Sequence, residues 1–427
     1  MAGLFLGIDV GTGGVRACAV DARGAIEAMT SSSLSSPRQE GDAIDQDPEL
    51  WWQATISVIS KLGRRDVDLG RVERICVDGT SGTLLLVDAS GRPCTPGLMY
   101  NDTRAAKEAA RIAVIAPAES GAHGASSALA KLLHLLSRGE ATGVRFAVHQ
   151  ADWIAGRLAG SHGISDENNA LKLGYDPVTR AWPAWLGQLG VSNEILPRVL
   201  VPGTPFATID PAIASMLSIS SAARIGAGTT DGVAAFVATR ADTPGDAVTS
   251  LGTTLVVKLL ATQPIFAPGQ GVYSHRLGER WLAGGASNSG GGALLTHFTG
   301  EDMERLTPLL RPEEPTGLDY YPLPKPGERF PLADPQLASR TTPRPDEEHL
   351  FFQALLEGIA SVEALAYQQL ARLGAPPLRR IISIGGGAKN DAWTEIRHRR
   401  LGVPVVTAEQ NEASYGAALL ALQGSPS

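Results

Sequence analysis

Leu4-Phe5-Leu6-Gly7-Ile8-Asp9-Val10-Gly11-Thr12-Gly13-Gly14-Val15-Arg16-Ala17-Cys18-Ala19-Val20 is the stretch that decides the fold. Leu4–Ile8 reads as an apolar strand, Gly11–Gly14 as a tight turn, and residues 15–20 as a returning strand. A hairpin tipped with Gly and Thr lets backbone N–H groups approach a phosphate, with the Thr hydroxyl as a further donor. The pattern returns in the second half, where Ala247–Ser250 leads through Leu251-Gly252-Thr253-Thr254 into Leu255–Leu260. Two such hairpins, one per half-chain, predict two lobes holding a nucleotide polyphosphate between them. Only the first copy carries an acid, Asp9, so the halves are related but not equivalent.

The bulk numbers narrow the class. At 427 residues the chain has room for two domains with separate cores. Its net charge of −7 argues against a nucleic-acid partner that needs a basic face. Cys18, Cys76 and Cys94 lack metal-ligand spacing and are too few for a disulfide framework, which fits a reducing, cytoplasmic setting. The chain opens directly on a strand with no signal-like segment, and no long apolar run suggests a membrane partner.

Further elements follow from periodicity and caps. Asp47-Pro48 is an N-cap followed by Pro at the first helical position, starting a helix to about Leu62. Arg74–Asp78 and Thr83–Asp88 read as strands flanking the small-residue loop Gly79–Gly82, and helical patterns cover 104–116, 127–138 and 147–159. Arg224–Gly228 is a strand running into Thr229-Thr230-Asp231-Gly232 and a helix. In the second half, Arg280–Ala283 is a strand, and 284–292 is a Gly/Ser/Asn-rich loop before an apolar helix from Ala293. Residues 311–346, dense in proline and charge, read as an irregular excursion. Glu348–Leu373 is an amphipathic helix, Arg380–Ile384 a buried strand, Gly385–Asn390 a loop, and the last helix starts near Glu412. Sheets interleaved with helices in two comparable halves predict a duplicated α/β architecture.

Several residues attract attention on local grounds. Asp231 stands at a strand-to-helix junction between Gly228 and Gly232; it reads equally as the N-cap of the next helix or as a carboxylate presented for chemistry. Asp9 could stabilise its turn by an Asx-type bond, but that leaves the adjacent Gly-Thr-Gly-Gly unexplained. It suits a magnesium anchor, because Mg²⁺ takes few protein carboxylates and keeps several waters. Gly11, Thr12 and Gly13, with Gly252, Thr253 and Thr254, form the candidate phosphate cradle. Ser81, Asn101, Asp102 and Arg104 offer groups suited to a polyol, although Asp102 and Arg104 could equally be a surface ion pair. His275 and His297 have no triad or metal-ligand company and read as structural histidines.

Taken together, Gly7–Thr12, Gly226–Gly232, Ser250–Thr254 and Gly385–Asn390 resemble the FGGY carbohydrate kinase family, in motif order over essentially the whole chain. Asp78-Gly79-Thr80-Ser81-Gly82, Met99–Arg104 and the segment from Tyr273 to Ser289 look most like its short D-ribulose kinase, or xylulose-kinase-like, subgroup. The resemblance implies two ribonuclease-H-like lobes of the actin-like ATPase fold with an interlobe active-site cleft. It implies an N-terminal lobe over 1–236, with a final helix of about 411–424 packing back on it, and a C-terminal nucleotide lobe over 237–427. It implies ATP and Mg²⁺ as cofactors and Asp231 as catalytic base. Asp9, Ser81 and Asp231 are then the central sugar contacts, and Asn288, Gly291, Gly386, Gly387, Lys389 and Asn390 line the adenosine end. The expected reaction is phosphorylation of a ketopentose terminal hydroxyl, D-ribulose to D-ribulose 5-phosphate, with D-xylulose or a non-kinase actin-like ATPase as alternatives. The expected partner is the small-molecule sugar alone, and the expected state is monomer or homodimer.

Overall fold

The computed structural model describes residues 3–65, 67–139 and 142–424. The chain divides into two compact units: one comprises residues up to Ala238, His275–Glu279 and the chain from Gln410 on; the other comprises Thr239–Ser274 and Arg280–Glu409.

In the first unit the strand Leu4–Val10 is buried along its whole length, as its unbroken apolar run requires of a central strand. It pairs antiparallel with Gly14–Val20 and parallel with Val72–Gly79. Ile26–Ser33 extends the sheet on one side, and Arg224–Gly226 and Pro205–Thr208 extend it on the other. Asp47 caps the helix Pro48–Gly63 by accepting the Glu49 N–H, and the helix buries Trp51, Val58 and Leu62 in the core. A second sheet joins Leu84–Val87 to Phe146–His149 and carries a separate core with the helices Ala106–Ile115 and Ala128–Ser137. Ala147–His149, expected at the start of a helix, are strand instead; their backbone groups pair with Leu84–Leu86, and the helix begins only at Gln150.

The chain end completes this unit. The helix Ala413–Gln423 is buried from Ser414 to Ala421 and packs on Leu4–Val10 and on Asp231–Ala238. Gly7 permits that approach, because a Cβ there would collide with the Ser414 carbonyl and the Ala418 amide. Tyr415 fixes the helix by donating its hydroxyl to the Gly24 carbonyl at 2.9 Å.

The second unit repeats the sheet plan. Asp246–Leu251 pairs antiparallel with Leu255–Ala261 and parallel with Arg380–Ile384, flanked by Arg280–Ser287 and Val405–Thr407. Gly284–Ser287, expected as loop, continue the strand, since the ladder runs on through Lys258↔Gly284 to Leu255↔Ser287. Ladder pairing outweighs the weak strand preference of glycine. Residues 311–346 form no helix or multi-residue strand, as their proline content requires. The helix Glu348–Arg372 is the one described helix long and apolar enough to cross a membrane, and most of it is buried inside this unit.

A buried ion pair braces this second core. Arg397 grips Glu363 through Nε and Nη2 at 2.6 and 2.7 Å and donates from Nη1 to Ser383 Oγ at 2.7 Å. Thr249 Oγ1 donates to the same carboxylate at 2.6 Å. Both charged groups are excluded from solvent, so removing one leaves the other desolvated and unpaired. Glu363→Leu is therefore expected to destabilise this unit by about 3–5 kcal/mol, read as a lower urea midpoint, whereas the double change Glu363→Leu with Arg397→Met costs much less.

Candidate active site

The site in the first unit follows from strand register. Asp9 and Asp78 are direct partners across the parallel pair, so their side chains leave the sheet on the same face. On the other side of Asp78 stands Thr229, and two residues later Asp231 opens the helix Asp231–Ala238. Three carboxyl groups are thus delivered to the ends of three adjacent strands.

Their environments differ. The Asp78 carboxyl is fully buried and neither oxygen has a conventional hydrogen-bond partner. Burial, with the nearby charges of Asp9 and Asp231, pushes its pKa well above the carboxylate range. Asp9 is also buried, and desolvation raises its pKa, opposed chiefly by Arg16. The Arg16 guanidinium donates from Nη1 to Asp9 Oδ2 at 3.1 Å and lies 3.5 Å from Glu412, the residue before the helix Ala413–Gln423. The turn itself closes through backbone, with the Gly11 N–H on the Gly14 carbonyl at 3.0 Å. Asp231 is half-buried, and its Oδ1 accepts the N–H of the adjacent Gly232 at 2.6 Å.

The expected sugar residues separate into two groups. The Ser81 hydroxyl is buried without a protein partner, and Asn101 is exposed. Asp102 is fully buried: it accepts the Ile44 N–H at 2.6 Å, the Arg104 N–H at 3.2 Å and Arg104 Nε at 2.7 Å. Arg104 also reaches Asp45 at 2.8 Å. The surface-ion-pair reading is thereby corrected, because these two residues form an internal clamp in which the carboxylate is already satisfied.

In the second unit, three expected segments meet at the end of Asp246–Leu251. The Gly291 and Gly292 N–H groups bond the Gly252 and Thr253 carbonyls at 2.8 and 2.9 Å. Gly290, at φ 135°, allows this closure; a Cβ there would press on Thr254 backbone. Gly385 packs on the Leu251 carbonyl, which brings Gly386, Gly387 and Lys389 to the same edge, with Gly386 and Lys389 exposed. The Asn288 amide donates to the Gly327 carbonyl at 2.9 Å, and Asn390 caps the next helix through the Trp393 N–H at 3.0 Å. Those two bonds commit part of each amide to the framework.

Sequence reasoning placed Asp78 in the Asp78–Gly82 motif but assigned it no role at the site, and it singled out neither Arg16 nor Gln150. Asp78 had a readable signal: Ile75-Cys76-Val77-Asp78-Gly79 is an apolar strand ending in Asp, like Leu6-Gly7-Ile8-Asp9. Gln150 had none, since only folding brings its Oε1 to the Thr80 N–H at 3.1 Å and the Thr80 hydroxyl at 2.9 Å.

The raised pKa of Asp78 has a definite sign. Its unfolded value is near 3.9, so between that pH and its higher folded value the folded chain binds more protons, and stability falls as pH rises. Asp78→Asn removes this slope. Its melting temperature is expected to match wild type near pH 4 and to exceed it increasingly toward pH 8, as checked by thermal unfolding across that range.

Comparison with known proteins identifies the family. The profile for the FGGY family of carbohydrate kinases, N-terminal domain, matches residues 4–238, and that for the C-terminal domain matches 247–424. Xylulose kinase from Staphylococcus epidermidis is 24% identical over 99% of this chain and 88% of its own length. Gluconokinase from Bacillus subtilis is 23% identical over 99% of this chain and 88% of its own. Among solved structures, one titled as a xyloylose kinase from Brucella ovis superposes with a TM-score of 0.89 at 23% identity, covering 99% of this chain and 90% of that one. With both domain profiles matched in order and the sheet plan duplicated, the chain belongs to the FGGY family of carbohydrate kinases.

Proposed function

We propose that this sugar kinase transfers the terminal phosphoryl group of ATP to the terminal hydroxyl of a ketopentose. The observation that carries the reading is the register of Asp9, Asp78 and Thr229 on adjacent strands, with Asp231 following and the unpartnered Ser81 hydroxyl three residues beyond Asp78. D-ribulose is the first substrate, on the spelling of Asp78–Gly82. D-xylulose is the second reading, favoured because several relatives are named xylulose kinase.

In this reading Asp231 accepts the hydroxyl proton as the oxygen bonds to phosphorus, a transfer that an ordinary carboxylate can serve. Ser81, Asn101 and Asp9 orient the sugar; Asp102 and Arg104 shape the loop that carries Asn101. In the first unit the backbone N–H groups of Thr12 and Gly13 are offered to phosphate oxygens, that of Gly11 being committed to the Gly14 carbonyl; in the second unit Gly252, Thr253 and Thr254 offer backbone N–H groups of the same kind. Asn288, Gly291, Gly386, Gly387, Lys389 and Asn390 line the adenosine end.

The residues fit Mg²⁺ in the manner of phosphate-carried ions. Asp9 offers a hard oxygen ligand, and no trio of His, Cys, Asp or Glu able to cage a metal forms among the described residues. When bound with ATP, the ion supplies neutralisation of phosphate charge, and Asp9 would hold it directly or through water.

The test is a coupled ADP assay over ketopentoses, polyols and gluconate. ADP release is expected to rise sharply with D-ribulose or D-xylulose. Asp231→Ala is expected to lower sugar-dependent kcat by roughly 10²–10⁴-fold, the usual share of a positioned base. Turnover within a few-fold of wild type would reject Asp231 as base, and sugar-independent ATP hydrolysis alone would reject the kinase reading.

A further inference from the structure

A buried lysine in the first unit has no part in the chemistry just described. Lys131 lies on the helix Ala128–Ser137, whose N-cap Ser127 accepts the Ala130 N–H at 3.1 Å. Its side chain is wholly excluded from solvent, a position lysine almost never takes without a specific partner. Its Nζ donates to two backbone carbonyls, Gly82 at 2.8 Å and Met99 at 2.6 Å.

Each carbonyl belongs to a tight turn. Thr80–Thr83 closes through the Thr83 N–H on the Thr80 carbonyl at 3.3 Å and holds Ser81. Met99–Asp102 closes through the Asp102 N–H on the Met99 carbonyl at 2.9 Å and holds Asn101. Gln150 holds the far side of the first turn through Thr80, and Asp102 anchors the second to the Ile44 N–H at 2.6 Å. Lys131 is the group that bonds both turns at once.

We propose that Lys131 is a positioning residue for the sugar: by bridging the Gly82 and Met99 carbonyls it fixes Ser81 relative to Asn101, and so sets sugar affinity without touching the sugar. The proposal rests on the sugar-kinase reading of this site. The charges around Lys131 are Asp102, which favours the ammonium, and Arg104 and Lys172, which oppose it; burial pushes its pKa down to about 7. The bridge survives that titration, because a neutral amine still has two N–H bonds for the two carbonyls.

Deleting the Lys131 donors also leaves the Gly82 and Met99 carbonyls short of a partner, so some loss of stability accompanies any change here, and the test must read sugar affinity separately from folding. Lys131→Met keeps the stem and deletes both donors. Wild-type turnover on the ketopentose panel is measured first, so that failure of the sugar-kinase reading appears there and not in the variant. The variant is expected to raise the sugar KM tenfold or more while the ATP KM stays within twofold. A sugar KM within twofold of wild type, or both KM values rising together, overturns the assignment. If Lys131→Met does not fold, Lys131→Gln is read by the same two constants. Failure of both to fold overturns the proposal in favour of a purely structural lysine.

Discussion

The parallel pairing of Leu4–Val10 with Val72–Gly79 is the constraint on which the first unit depends. Its register makes Asp9 and Asp78 neighbours, and the adjoining pair Thr229↔Asp78 brings Asp231 to the same edge. A slip of one residue would send these side chains to the opposite face. The sheet prevents it by burying Leu4, Leu6, Ile8 and Val10 on one side and receiving the helix Ala413–Gln423 on the other. Placing acids there works against stability, since desolvation raises both Asp9 and Asp78. The surrounding apolar core offsets that cost, and carboxylates with raised pKa values cluster at functional sites.

The second unit uses the same sheet for a different task. From its central strand outward, both units run parallel, parallel on one side and antiparallel, antiparallel on the other. The divergence is at the strand ends. Where the first unit has Asp9 beside Asp78, the second has Ser250 beside Ile384, followed by glycines. One of its buried acids, Glu363, sits in the core paired with Arg397. One unit therefore presents carboxylates and the other presents backbone N–H groups and small residues. A sugar needs the former to accept its hydroxyl bonds, and a polyphosphate needs the latter.

The two Gly-Thr hairpins were legible because their geometry is local: an apolar strand, a turn that needs small residues, a second strand. The Asp47-Pro48 start and the long helix near Glu348 were legible for the same reason. Ala147–His149 were not, because their strand state comes from pairing with Leu84–Leu86, far away in sequence. Gly284–Ser287 looked like loop because glycine argues locally against a strand, and only the ladder with Leu255–Lys258 reverses that. In the site, Asp9 and Asp231 stood out through flanking glycines. Arg16, Gln150 and Lys131 carried no such flag, since their significance lies entirely in which distant atoms they bond.

Hydrogen-bond satisfaction separates groups committed to the framework from groups with bonding capacity unspent. Asp102, Arg104 and much of Asn288 and Asn390 are committed to neighbouring backbone or side chains. A new bond to a substrate there would have to break an existing one. Among the buried polar atoms of the first unit without a protein partner are Ser81 Oγ and Gln150 Nε2. Such groups cost on the order of 1–3 kcal/mol each when left unmade. Thr80 connects two of them: it precedes Ser81 in its turn and binds Gln150 Oε1, which leaves the amide nitrogen unspent. Hydroxyls of a sugar can both donate and accept, so they can satisfy a hydroxyl and an amide N–H. A pocket built to make such bonds also discriminates strongly against a ligand lacking a hydroxyl at the matching position. Under the proposed ketopentose-kinase reading, the choice among ketopentoses turns on which hydroxyl reaches which of these atoms, and the proposed phosphate loops, which would bind the same group whatever the acceptor, contribute nothing to it.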